Sequence, residues 1–333
     1  MKLWLPLLPL FAALATLMAT SGTKPRSAFS DKHVLLIGID GLRSDALQQA
    51  MARGLAPNLK ALAEGGTITW NAYAGGGLGQ PTQQPTISGP GWTSLFTGVW
   101  MDRHNVDGNA TPLLNQPDVR GSYQLDRAPH FANRLKKAVP QASIASFSAW
   151  GWIESYLVAA QPEAFDAHDR GVGIKYPDRD LDIKNKTLSY LETTTPDVLV
   201  VHFDQADGAG HATGFNTENP VYMTAIHKVD EHVGEILEAL KRSPGANDQK
   251  WLVLVTTDHG GIGKKHGGQS PEERTIPIIA HGPGIARNRV VDTPLGQTAI
   301  APTLFFYLGV PASPDWGWTN EVFALETATA HSP

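Results

Sequence analysis

Three times along the chain, a short apolar run rich in β-branched residues stops abruptly at acidic residues. The runs are Val34–Ile39 before Asp40, Asp197–Phe203 before Asp204 and Asp207, and Trp251–Val255 before Thr256-Thr257-Asp258-His259. Runs of this length with polar flanks read as strands buried on both faces of a parallel sheet. Between them the apolar period becomes helical. Leu47, Met51, Leu55, Leu59 and Leu62 share one face, broken at Gly54 to Pro57 and closed by Gly65-Gly66. After Asn219-Pro220, the residues Ile226, Val229, Val233, Ile236, Leu237 and Leu240 form another such stripe. Strand and helix alternate throughout, so the expected fold class is α/β, with a largely parallel central sheet and helices on both faces. Such sheets place their ligand sites at the C-terminal ends of the strands, where the acids fall. A carboxylate there is costly to desolvate unless it is paired or bound to a cation. An N-capping aspartate with surface histidines beside it would leave the same trace in the sequence.

The chain has no cysteine, which excludes thiolate metal sites, cysteine nucleophiles and disulfides. Any metal must be held by His, Asp, Glu or hydroxyl oxygen. The net charge of -5 gives no reason to expect a nucleic-acid partner. Its 333 residues suffice for one large core.

The first 30 residues read as a signal peptide and linker. Lys2 supplies the positive start, Leu3 to Met18 is apolar apart from Thr16, and small residues precede a linker rich in Ser, Lys and Pro. The apolar run is at the short end for spanning a bilayer, so export to a periplasmic or secreted location is expected, without a stable membrane anchor. Residues 31–333 are expected to form a single catalytic domain.

Ser44 is a competent N-cap for the first helix. A strand is expected around Thr67 to Tyr73, followed by a rim loop rich in Gly, Gln and Pro from Gly75 to Pro85. Ser88 then stands before Gly89-Pro90-Gly91 and a short helix-like run. A hydroxyl there faces the positive end of that helix, whose free N–H groups suit an anion. On spacing alone, Ser88 and Thr93 are also plain capping residues. Asp102 to Asn109 forms a polar loop returning to the same region. Ala142 to Trp150 reads as a strand, Trp150-Gly151-Trp152 as a pocket lining or packing, and His168 to Lys186 as a solvated connection. His227 and His232 lie off the stripe of the long helix and read as surface histidines.

Three strand ends thus deliver Asp40, Asp207 with His211, and Asp258 with His259 to one edge, and His266 follows closely. Three carboxylates and three imidazoles fit two zinc-like ions better than one, since each ion wants about four N/O ligands with an open position. Here the sequence resembles the alkaline phosphatase superfamily, and within it the type I phosphodiesterase/nucleotide pyrophosphatase branch. The motifs that carry the resemblance are Ile39-Asp40-Gly41, Ala56-Pro57-Asn58-Leu59, Ser88-x-Pro90 with Thr97-Gly98, Asp207-x-x-x-His211, Asp258-His259-Gly260 and His266-Gly267.

The resemblance implies two divalent ions, zinc above all. One would be held by Asp40, Asp258, His259 and the oxygen of Ser88, the other by Asp207, His211 and His266. It also implies Ser88 as nucleophile, because Ser88 meets the family spacing to the proline and to the Thr-Gly pair, whereas Thr86 and Thr93 do not. Asn109 matches the asparagine that helps hold the phosphoryl oxygen. Ser88 would attack phosphorus in line, and Asn109 with the N–H groups around Gly89 to Gly91 would carry the charge on the other oxygens.

The chain departs from the family pattern in places. The usual His-Gly pair is His104-Asn105, the usual Asn after the proline is Gly91, and Gly89 stands where a base-stacking aromatic often follows the nucleophile. His281 is the alternative to His266 as last histidine. The implied substrate is a small phosphate ester, a phosphodiester or pyrophosphate bond in the first place, with phosphomonoester hydrolysis as the alternative. A sulfatase would need arginine where Trp92 stands, and a metal-bearing binding protein without catalysis would not need the full ligand set and a nucleophile. Oligomeric state leaves no trace in the sequence.

Overall fold

The computed structural model describes residues 28–109, 123–124, 126–319 and 321–325. The segment read as a signal peptide therefore lies outside the described residues, except for the last residues of its linker. Eight strands form one sheet: β1 (Lys32–Ile39), β2 (Thr67–Tyr73), β3 (Ile144–Ser148), β4 (Ala167–Arg170), β5 (Val198–Phe203), β6 (Lys250–Thr256), β7 (Thr275–His281) and β8 (Arg289–Val290). Their order is β4-β3-β5-β1-β6-β7-β2-β8. Every pairing is parallel except those of β7 with β6 and β2, so the sheet is largely parallel as expected.

Helices cover both faces. They are α1 (Ser44–Ala52), α2 (Pro57–Gly65), α3 (Ser88–Thr97), α4 (Met101–His104), α5 (Phe131–Ala138), α6 (Tyr176–Thr193), α7 (Gln205–Thr213), α8 (Pro220–Leu240), α9 (Pro271–Arg274) and α10 (Ile300–Leu308). The two-residue alternation of the central strands explains this arrangement. Val34, Leu36, Val200, Leu252 and Leu254 pack with Leu95 of α3, Phe131 of α5 and Leu304 of α10. Leu35, Ile37, Leu199, Val201, Val253 and Val255 face the other way, onto Leu47, Leu59, Ile226, Val229 and Val233. Each such Val, Leu or Ile side chain removed from water contributes about 1.5–3 kcal/mol, which is why neither face is left bare.

Several local expectations are corrected. Ser44 is not a cap: Arg43 occupies that position, and the Ser44 hydroxyl donates to the carbonyl of Trp70 at 2.8 Å. The strand expected over Ala142 to Trp150 is only Ile144–Ser148. The stacked indoles of Trp150 and Trp152, with centroids 5.0 Å apart, close off its end. The tract from His168 to Lys186 is largely exposed, as expected, but it is more than a connection, since it holds most of β4 and the first part of α6. Its helical stripe was hidden because two of its buried members, Asp180 and Lys184, are charged. His227 is half-buried and bonds the carbonyl of Leu55 through Nδ1 at 2.7 Å.

Candidate active site

Register brings the acids together. In β1, Gly38 pairs with His202 of β5 and with Thr256 of β6, and Ile39 pairs with Phe203. The three central strands therefore end level, and Asp40, Asp204 and Thr257-Asp258 leave them at one edge. The chain turns sharply at Gly41, with φ of +67°. A Cβ at Gly41 would come within 2.8 Å of Asp207 Oδ1, so only glycine lets Asp40 and Asp207 approach.

Asp207 and His211 sit one turn apart on α7 and face the same side, with His211 Nε2 3.3 Å from Asp207 Oδ2. α7 is anchored by α6. Asp180, fully buried, accepts the backbone N–H groups of Asp204 at 2.8 Å and Gln205 at 3.1 Å, supplying the N-terminal cap that Asp204 itself does not. Burial pushes the Asp180 carboxyl up to about 7, against the pull of those two N–H groups.

On the other side, Ser88 is the first residue of α3, and its Oγ lies 3.1 Å from His259 Nε2. His259 Nε2 also stands 3.2 Å from Asp258 Oδ2 and 3.7 Å from Asp40 Oδ1. His266 closes the group: its ring stacks on His259 with centroids 3.9 Å apart, and its Nε2 is 3.7 Å from Asp207 Oδ1 and 3.0 Å from His211 Nε2. All seven proposed ligands thus meet at one place. His281 does not. It ends the antiparallel β7 opposite Val253, away from the acid-bearing strand ends, with its ring against Gly65.

The donor set decides what this place can hold. Nδ1 of His211 lies 3.0 Å from the carbonyl of Lys264, Nδ1 of His259 lies 2.8 Å from that of Gly260, and Nδ1 of His266 lies 2.9 Å from that of Thr86. A carbonyl only accepts, so each ring carries its proton on Nδ1 and presents an unprotonated Nε2 to the acids. Asp40 Oδ1, Asp207 Oδ1 and Asp258 Oδ2 are buried without a hydrogen-bond donor. Lone pairs therefore face lone pairs, a repulsion that bound cations, or protons on the acids, would relieve.

Two of the resulting triads, Asp40/Asp258/His259 and Asp207/His259/His266, keep their ligand atoms within 4.8 Å of one another. Burial drives the carboxyls of Asp207 and Asp258 well above the usual range, and the charge of Asp40 beside them adds to it. Burial also works against ionisation of Asp40, but the hydrogen bonds from His202 and Trp92 help to hold it at about 2. His259 is pushed down to about 3 by burial and stays neutral, as a ligand must. Side-chain exposure rises from zero at His259 to 42% at His211, so solvent reaches the site from the α7 side.

Asn109 is an exposed residue near Ser88, and its Oδ1 accepts the N–H of Gly89 at 2.7 Å. This corrects one expectation. The Gly89 N–H is spent on Asn109, and the Gly91 N–H bonds the Ile87 carbonyl at 2.9 Å, so these amides do not face a substrate oxygen. Asn105 adopts φ of +63°, the left-handed conformation for which asparagine is the usual substitute for glycine. His104 is buried, bonded to Ser94 Oγ at 2.9 Å and to the N–H of Val106 at 3.1 Å, and serves the loop rather than the site.

Sequence reasoning gave no site role to Asp204, named only among the strand-end acids, or to Trp92 and His202. Asp204 is buried and forms a third triad with Asp40 and Asp207. Its position directly after β5 was the available signal.

The family model for type I phosphodiesterase / nucleotide pyrophosphatase matches residues 34–265. A 2,3-bisphosphoglycerate-independent phosphoglycerate mutase of Methanosarcina acetivorans is 26% identical over 190 residues, 53% of this chain and 34% of the mutase. The chain thus spans about a third of that relative's length. Among solved structures, murine ectonucleotide pyrophosphatase / phosphodiesterase 5 matches with a TM-score of 0.62 at 14% identity, covering 85% of this chain and 96% of that one. A 2-O GAG sulfatase matches with a TM-score of 0.67 at 17% identity, covering 86% and 72%. At such identities the structures share the fold, and the kinship comes from the family match, which contains every strand-end acid assigned above. The chain belongs to the type I phosphodiesterase / nucleotide pyrophosphatase family.

Proposed function

We propose that the protein is an exported two-metal hydrolase of small phosphate esters, acting on a phosphodiester or pyrophosphate bond through a covalent phosphoseryl intermediate on Ser88. The observation that carries this reading is the placement of Ser88 Oγ 3.1 Å from His259 Nε2, at the meeting point of the ligand triads. Residues Asp40, Asp258, His259 and Ser88 would hold one divalent ion, and Asp207, His211 and His266 the other, with zinc suited to this N/O set. When bound, the ions supply positive charge that lowers the pKa of the serine hydroxyl and offsets the charge developing on the leaving oxygen.

The protein's own groups do the rest. Ser88 forms the bond to phosphorus while the bond to the leaving oxygen breaks. Water then attacks the phosphoseryl group and regenerates the hydroxyl. Asn109 donates its amide N–H to a non-bridging oxygen, with its carbonyl pinned by Gly89 so that the donor end is pre-aimed. Among the described residues, no Arg or Lys side chain pairs with Ser88, Asn109 or the six Asp/His ligands, and a diester carries less non-bridging charge than a monoester. That supports diester over monoester cleavage. Residues 31–333 would form the single catalytic domain, delivered outside the cytoplasm by the N-terminal segment. Among the described residues, no helix is long and apolar enough to cross a membrane.

The test is an assay of the purified, zinc-loaded protein on nitrophenyl phosphate monoesters, phosphate diesters and sulfate esters. Faster turnover of a diester is expected. Hydrolysis of the sulfate ester alone, or of none of the three by protein carrying two ions, would overturn the reading.

A further inference from the structure

Asp40 has two carboxylate oxygens, and the protein leaves only one of them for a cation. Oδ2 accepts the indole N–H of Trp92 at 2.9 Å and lies 3.4 Å from Nε2 of His202. Nδ1 of His202 faces the backbone N–H of Trp150 at 3.4 Å, which makes Nδ1 the acceptor and puts the proton on Nε2, toward Asp40. This tautomer is the opposite of the one shared by His211, His259 and His266. Oδ1, by contrast, is buried without a donor and faces His259 Nε2 at 3.7 Å.

Both donors are fixed in place. His202 lies on β5 in register with Gly38 of β1. The six-membered ring of Trp92 sits where any Cβ on Gly38 would be, so glycine there makes room for the indole. The two rings meet edge to face, with centroids 4.7 Å apart and planes at 83°. Without these donors Asp40 could rotate and offer both oxygens, or turn toward the neighbouring carboxylates Asp204 and Asp207.

We infer that Trp92 and His202 are positioning residues that hold Asp40 as a one-oxygen ligand for the ion on the Ser88 side. The inference rests on the two-ion reading above. Outer-shell donors of this kind orient the ligand, and their loss costs about ten- to a hundredfold in metal affinity.

The experiment is a competition titration of zinc against a chromophoric chelator, using wild type, Trp92→Phe, His202→Leu and His202→Gln, with a thermal melt of each metal-free protein to confirm folding. Trp92→Phe should weaken one of the two zinc sites by about ten- to a hundredfold and leave the other unchanged. His202→Leu should weaken the same site, and His202→Gln, which keeps an N–H donor, should recover part of the loss. Combined with Asp258→Ala, which removes that ion, Trp92→Phe should add no further loss. If Trp92→Phe does not fold, the two His202 variants decide. Wild-type affinity at both sites in the folded variants, or equal weakening of both sites, would overturn the inference alone. Wild-type protein that binds no zinc would overturn the two-ion reading and this inference with it.

Discussion

His211 and His266 meet nitrogen to nitrogen, Nε2 to Nε2 at 3.0 Å, although neither nitrogen carries a proton. Two imidazole lone pairs at that separation repel, and hydrogen bonding cannot relieve them while both Nδ1–H groups are held by carbonyls. His259 likewise presents Nε2 at 3.2 Å from Asp258 Oδ2, with its Nδ1 held by the Gly260 carbonyl. The backbone, through Thr86, Gly260 and Lys264, has chosen the ligand tautomer of all three rings.

Metal content is the first consequence. Purified protein should carry about two zinc-like ions per chain. Asp258→Ala should lose most of one, because Asp258 belongs only to the triad of Asp40 and His259. Elemental analysis and a strong chelator check this: full activity after chelation, or active protein without metal, would contradict the site.

The choice of last histidine is tested by a pair of substitutions. His266→Ala should cut turnover steeply and weaken one ion, since its ring touches both His211 and His259. His281→Ala should act as a local packing change beside Gly65, visible in thermal melts and not in metal affinity. The reverse result would move the ligand.

Ser88→Ala should leave the fold and both ions largely in place, because the serine supplies one oxygen to one ion. Turnover should fall at least about a thousandfold, as no phosphoseryl intermediate forms. Ser88→Thr should keep partial activity. Thr86→Ala should cost far less, since the Thr86 hydroxyl bonds only the backbone at Gly267 and Gly268. Acid trapping of the phosphoryl group followed by peptide mass mapping should place it on the segment from Thr86 to Trp92, and label elsewhere would contradict the assignment.

Asp180 gives a pH prediction independent of metal. Its folded pKa, raised by burial to about 7 from the ordinary 3.8, means that the folded protein favours the neutral acid. Its contribution to stability is therefore fully present below about 3.8, falls as pH rises, and is lost once pH passes about 7. Asp180→Asn should gain stability relative to wild type across that window and level off above it. Melting temperatures of both proteins between pH 4 and about 8 measure this. A constant difference would show that Asp180 is ionised throughout.

Much of the fold was legible because its signals are local. Runs such as Val34–Ile39 have a length and branching that suit only a strand buried on both faces, and an acid after each run marks one edge. The Asp and His members of the proposed ligand set were legible for the same reason, since each follows a strand end or shares a helix turn, whereas Ser88, which opens α3 after a long loop, was picked out only by the family spacing. α6 stayed hidden because its buried face carries Asp180 and Lys184, whose burial is compensated by Asp204, Gln205 and Glu235 from distant parts of the chain. Periodicity reads hydrophobicity and cannot see such compensation.

What the sequence by itself determined was the strand-and-helix alternation, the common edge of Asp40, Asp207 and Asp258, and the identity of the candidate ligands. Only the tertiary structure decided which nitrogen of each histidine is free and which oxygen of Asp40 is taken. It also decided that the amides of Gly89 and Gly91 are taken up by Asn109 and by the Ile87 carbonyl. These are matters of hydrogen-bond partner and direction between groups as much as 217 residues apart, as between Gly41 and Asp258. A donor's aim is set by the packing of whole elements, and no local pattern of residues encodes it.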